Sequence, residues 1–131
     1  MKTATSVSAT ASGKGLNLSE NCLKVLEKRY LKRNEDGTVV ETAVDMFTRV
    51  ARTIAEGDRA YGASDADVAR TEAEFYRLMT SLEFLPNSPT LMNAGRELQQ
   101  LRACIVLPVD DSLAGILQTH KESDLIHQSG G

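Results

Sequence analysis

One stretch limits what this chain can become: ACIVLPV, residues 103–109, a short unbroken apolar run rich in β-branched residues. Such a run reads as a strand buried on both faces. Pro108, Asp110 and Asp111 bring it to an end. A single strand is not a sheet, because its backbone N–H and C=O groups need partners. No second run of this kind occurs in the 131 residues. The stretch that follows, DDSLAGILQTHKESDLIHQ, has helical spacing, and strand followed by helix is half of a βαβ unit. The expected fold class is therefore α/β, as a fragment: a helical region, then one strand and one helix of something larger.

The helical region precedes the run. Ser19 reads as the N-cap of a first helix over ENCLKVLEKRYLK, where Cys22, Leu23, Leu26 and Tyr30 share a stripe. RNEDG then turns the chain. Thr42 opens a second helix with Asp45 as a partial capping box, and Val44, Phe47, Ala51 and Ile54 mark its apolar face. EGDRAYGAS interrupts the pattern, and Ser64 caps a third helix through Val68, Phe75, Met79 and Leu82. LEFLPNSPTLMNAG holds two of the three prolines and reads as a specific loop before the strand. In the last helix Asp111 or Ser112 is the cap, with Leu113, Ile116 and Leu117 expected to point inward.

Charge and composition remove several functions. A net charge of −3 without a basic stripe leaves no nucleic-acid footprint. With no Trp, three Phe and three Tyr, there is no platform for stacking bases. No apolar run approaches the roughly 18 residues of a membrane span. Two cysteines, Cys22 and Cys104, make neither a disulfide framework nor a metal-ligand spacing, so a reducing, cytoplasmic setting is expected. Residues 1–15 lack the apolar block of a signal peptide and read as a disordered leader.

Several residues could carry chemistry. Cys104 is either a small core hydrophobe or a redox thiol held on a rigid strand. Ser88, between Asn87 and Pro89, is either a turn residue or a hydroxyl held still to bind an oxyanion or phosphate. Asp110, Asp111 and Ser112 are helix caps that a ligand could also meet, since a helix N-terminus favours phosphate. Gly130 and Gly131 either stop the helix or begin a glycine-rich loop. His120 and His127, seven apart, share a helix face but lack the spacing of a metal pair. No metal site is expected.

LSENCLKVLEKRYL, FLPNSPTLMNAG, ACIVLPVDDS and LIHQSGG, in this order and spacing, resemble the N-terminal part of ribonucleotide reductase, most closely the adenosylcobalamin-dependent (class II) group. The likeness runs from about residue 16 to residue 131. It implies a helical region over 16–85, and over 86–131 a substrate loop with the first strand and following helix of a ten-stranded α/β barrel, the rest of which is missing. It implies that Ser88, Ala103, Cys104 and Gly131 meet the ribonucleotide. Cys104 would be one of two thiols that reduce the ribose and end as a disulfide, its partner cysteine being absent. Asp111, Ser112 and Leu113 would belong to the site of an allosteric deoxynucleoside triphosphate. Adenosylcobalamin would be bound by the missing part, a thioredoxin-like or other dithiol would restore the thiols, and the complete enzyme would be a homodimer acting on the diphosphate.

Five positions depart from the family pattern: Cys22 for alanine, Ala43 for proline, Gln99 for glycine, Arg102 for serine and Gln128 for lysine. The isolated chain is expected to be inactive, as a fragmentary, split or intein-interrupted gene product. The alternatives are a free-standing helical module that binds deoxynucleotides, and a relic without catalysis.

Overall fold

A computed structural model describes residues 16–131. Five α-helices follow one another: α1 (Glu20–Arg29), α2 (Ala43–Ala55), α3 (Asp65–Thr80), α4 (Ser88–Asn93) and α5 (Leu113–Gln128), with a 3-10 helix, Glu56–Tyr61, after α2.

The caps read from the sequence set where these helices begin. Ser19 Oγ accepts from the Cys22 N–H at 3.2 Å. Thr42 and Asp45 close a full capping box on α2, and Ser64 and Asp67 do the same on α3. The RNEDG turn is closed by an isolated antiparallel bridge between Arg33 and Val39. Gly62, at φ +86°, ends the 3-10 helix in the left-handed conformation that glycine adopts without a Cβ clash.

The core gathers around α2, which packs on α3 and α4 and receives side chains from α1. Its buried side chains include Leu26, Leu31, Met46, Phe47, Val50, Met79 and Leu91. Cys22, Leu23, Tyr30, Ile54 and Phe75 pack against it half-buried. On α2 the buried stripe is Ala43, Met46, Phe47, Val50, Ala51 and Ala55, so that of the four positions read from spacing Phe47 and Ala51 are buried and Val44 and Ile54 are half-buried. Burying side chains such as Met46 and Phe47 contributes about 1.5–3 kcal/mol each.

Three expectations are corrected. The expected helical N-terminal region is present, but among the described residues no strand forms at 103–109. Residues 103–109 run extended but unpaired, with Val106 96% exposed. The physical reason is the one already visible in the sequence: a lone strand has no neighbour for its backbone groups. Second, Leu113, Ile116 and Leu117 do not point into a core; Leu113 is 74% exposed and no residue of α5 is buried. Third, Leu82 lies beyond the end of α3, exposed and at φ +62°. The stretch PNSPTLMNAG is also more ordered than a loop. Asn87 Oδ1 accepts from the Thr90 N–H at 2.9 Å, and Pro89 sits in the first turn, where its missing N–H is no loss. These two residues start α4.

Candidate functional site

Ser88 is the first residue of α4 and is exposed to solvent. Its Oγ lies 2.9 Å from the phenolic oxygen of Tyr30, at the end of α1, 58 residues away in sequence. Two further bonds join α4 to the segment ahead of Cys104. Thr90 Oγ1 donates to the Leu101 carbonyl at 2.9 Å, and Asn93 Nδ2 donates to the Gln100 carbonyl at 2.8 Å. The helix carrying Ser88 and the approach to Ala103 and Cys104 are thus one connected piece.

Beneath α4 lies a network of charges that the sequence reading missed. Glu41 accepts from Arg49 Nε at 2.6 Å, from Arg96 Nη2 at 3.2 Å and from the Lys32 N–H at 2.8 Å. Arg49 reaches on to the Leu91 carbonyl at 3.2 Å and to the Ala94 carbonyl, so it holds the C-terminal end of α4. Arg96 Nη2 donates to the Tyr30 carbonyl at 2.6 Å. Burial by itself would push the Glu41 carboxyl up. The Arg49 hydrogen bond, the Lys32 N–H and the two arginine charges outweigh it and hold the group below the usual glutamate range. Burial, with Arg49 alongside, lowers the affinity of Arg96 for its proton, against the pull of Glu41. The one available signal was Arg49 itself, a cation placed between Met46 and Val50 on the apolar stripe of α2.

Gly95 completes this corner. At φ +69°, a Cβ there would lie 2.6 Å from Thr53 Oγ1 and 3.0 Å from Arg49 Cγ. Gln99 has φ +47°, in the left-handed region that favours glycine.

Cys104 is exposed, on the extended segment, and Cys22 is half-buried. That segment lies along α5, where Thr119 Oγ1 donates to the Pro108 carbonyl at 2.9 Å. At the other end the chain returns to it: the Gly131 N–H donates to the Ile126 carbonyl at 3.0 Å, and a Cβ at Gly131 would lie 3.5 Å from the Ala103 carbonyl oxygen. Ala103 and Gly131 are therefore neighbours, with Cys104 beside them in the chain. Ser112, not Asp111, caps α5, accepting from the Gly115 N–H at 3.0 Å. Asp111, Ser112 and Leu113 are exposed together at this helix start. His120 and His127 are exposed on α5, and no group of three or more His, Cys, Asp or Glu side chains gathers among the described residues. Arg102 and Gln128 are exposed.

An apolar cavity of about 360 Å³ opens between α2, α3 and residues 84–90. Thr90 is the sole hydroxyl on its wall, and that oxygen is engaged with Leu101. The cavity does not include Ser88, Ala103, Cys104 or Gly131.

Residues 16–99 match the family described as the ribonucleotide reductase all-alpha domain, which is the stretch that builds α1 to α4. The chain belongs to the ribonucleotide reductase family. Among curated proteins, the vitamin B12-dependent ribonucleoside-diphosphate reductase of Thermoplasma acidophilum is 37% identical over 169 residues, covering 88% of this chain and 22% of that protein. A reductase of the same description from Mycobacterium tuberculosis is 39% identical over 116 residues, covering 88% of the chain and 16% of its own length. The ribonucleoside-diphosphate reductase large subunit of Arabidopsis thaliana is 38% identical over 109 residues, covering 82% and 12%. The chain thus spans roughly a fifth or less of these reductases. Within the reductase all-alpha match lie Ser88, Tyr30 and the Glu41–Arg49–Arg96 network. Ala103, Cys104 and α5 lie beyond residue 99, where it ends. No helix of the described residues is long and apolar enough to cross a membrane.

Proposed function

We propose that residues 16–131 are the N-terminal part of an adenosylcobalamin-dependent ribonucleoside-diphosphate reductase, in which they supply the substrate loop and the first reducing thiol. The observation that carries this reading is the join between α4 and the Cys104 segment. Thr90 and Asn93 hold the carbonyls of Leu101 and Gln100, so the Ser88 hydroxyl and the approach to the Cys104 thiol keep a fixed relation. A reaction that must place a nucleotide sugar against a thiol needs that rigidity.

In the proposed reaction Ser88 holds the nucleotide, and Ala103 and Gly131 contribute backbone beside it. Cys104 and a second cysteine, elsewhere in the protein, each give up a hydrogen. The ribose 2′-hydroxyl leaves as water, a C–H bond takes its place, and an S–S bond forms between the two sulfurs. A thioredoxin-like or other dithiol then returns the pair to thiols. Adenosylcobalamin would start the radical chemistry. As the family resemblance implies, parts of the protein outside residues 16–131 would hold that cofactor.

Asp111, Ser112 and Leu113 are the proposed contacts of the deoxynucleoside triphosphate effector, at the N-terminal end of a 16-residue helix. The exposed Leu113, Ile116 and Leu117 suit a face covered in the complete homodimer, within a ten-stranded barrel of which residues 103–109 form the first strand. Cytoplasmic location follows from the need for free thiols. The chain by itself should not turn over, because its other cysteine, Cys22, packs half-buried against the core on α1.

The test is Cys104→Ser in the complete enzyme, with a dithiol as sole reductant. Deoxyribonucleotide formation should fall to background, and an unchanged rate would refute the assignment.

A further inference from the structure

We infer that Tyr30 is a positioning residue for the nucleotide: its phenol donates to Ser88 Oγ, which turns the serine's own hydrogen toward a ligand oxygen. This rests on the reading that Ser88 touches the substrate. The contact joins two helix ends 58 residues apart in sequence, at 2.9 Å, on the exposed side of the corner. A phenol O–H is a better donor than an aliphatic alcohol, so the tyrosine takes the donor role. Ser88 then keeps one hydrogen to give, and a hydroxyl that is already accepting donates more strongly in turn. Its natural partner is an acceptor, the phosphate or another oxyanion of a nucleotide.

The backbone of Tyr30 is built to hold the ring there. Its N–H donates to the Leu26 carbonyl at 2.8 Å, ending α1. Its carbonyl accepts from Arg96, and Arg96 is tied to Glu41, which is tied to Arg49. Arg49 in turn grips the end of α4. The Tyr30 backbone and the C-terminal end of the short helix that begins at Ser88 are therefore tied to one buried carboxylate. A surface serine with a free rotor would present its hydrogen in three staggered directions; accepting from the phenol removes one of them and turns the hydrogen away from Tyr30.

The experiment compares Tyr30→Phe, Ser88→Ala and the double variant in the complete reductase, measuring KM and kcat for the ribonucleotide together with thermal midpoints. Tyr30→Phe keeps the ring and its packing. It should raise KM by about 3- to 10-fold, the worth of one hydrogen bond, and leave kcat and the midpoint nearly unchanged. The double variant should be no worse than Ser88→Ala. Incorporating 3-fluorotyrosine at position 30, a more acidic donor of almost the same shape, should hold KM at or below the parent value. A KM unmoved by Tyr30→Phe while Ser88→Ala raises it would overturn the positioning role and leave Ser88 in place. A KM unmoved by Ser88→Ala would overturn the substrate role of the serine, and the role of Tyr30 with it.

Discussion

Arg49 and Glu41 meet in two parallel contacts, Nε to Oε1 at 2.6 Å and Nη2 to Oε2 at 3.1 Å, with side-chain exposures of only 14% and 7%. Removing one partner of such a pair strands the other charge away from water. Arg49→Met should therefore cost about 3 kcal/mol in urea unfolding of the chain, and should also loosen α4, which loses its grip at Leu91 and Ala94. A midpoint equal to that of the parent would mean that the pair does not hold this corner.

The same carboxylate sets an acid limit. Glu41 in the folded chain binds its proton less readily than in the unfolded chain, because its pKa is held below the usual 4.5. The unfolded state therefore takes up protons first as pH falls, and stability is lost below that value and is complete above it. Glu41→Gln should lower stability at neutral pH and flatten this acid slope. Urea midpoints between pH 3 and pH 7 measure both.

Two positive-φ positions should respond in opposite directions. Gly95→Ala places a Cβ against Thr53 and Arg49 in a left-handed conformation, and should cost about 2 kcal/mol. Gln99→Gly removes a left-handed strain of about 1–2 kcal/mol and returns part of it as glycine's extra entropy loss, for a net gain of about 0.5–1 kcal/mol. Thermal midpoints of the two variants should fall on either side of the parent.

Helix α5 has no buried residue, so its helicity rests on local terms. At 16 residues an isolated helix is marginal in water. Ser112→Ala, which removes its cap at a cost of about 1 kcal/mol, should unwind much of it and reduce the ellipticity at 222 nm. Thr42→Ala, in the packed helix α2, should change the melting point with little loss of helix at room temperature. Amide exchange across residues 113–128 would locate the difference.

The two cysteines should be separable by a bulky disulfide reagent. Cys104 is exposed and should react in a fast phase, while half-buried Cys22 waits for local opening. Cys104→Ser should delete the fast phase alone.

Much of this protein was legible from local pattern. Caps at Ser19, Thr42, Ser64 and Ser112 and the stripes of α1 to α3 depend on residues three or four apart, and such signals survive without knowledge of the fold. Ser88 and Cys104 were singled out by their flanking residues and by the motifs around them. The start of α4 at Asn87 was missed, because the same Asn, Ser and Pro that favour a turn also cap a helix.

What only the tertiary structure decided concerns contacts between residues far apart in the chain. Glu41, Arg49 and Arg96 went unremarked in the sequence and Tyr30 read only as a residue of the α1 stripe, but the fold brings Glu41 within 3.2 Å of both arginines and the Tyr30 hydroxyl within 2.9 Å of Ser88. The apolar run at 103–109 shows the reverse: its sequence specified an extended backbone and an appetite for burial, but a strand exists only when a second backbone accepts its hydrogen bonds. Periodicity is encoded in each segment by itself; pairing is a property of two segments at once.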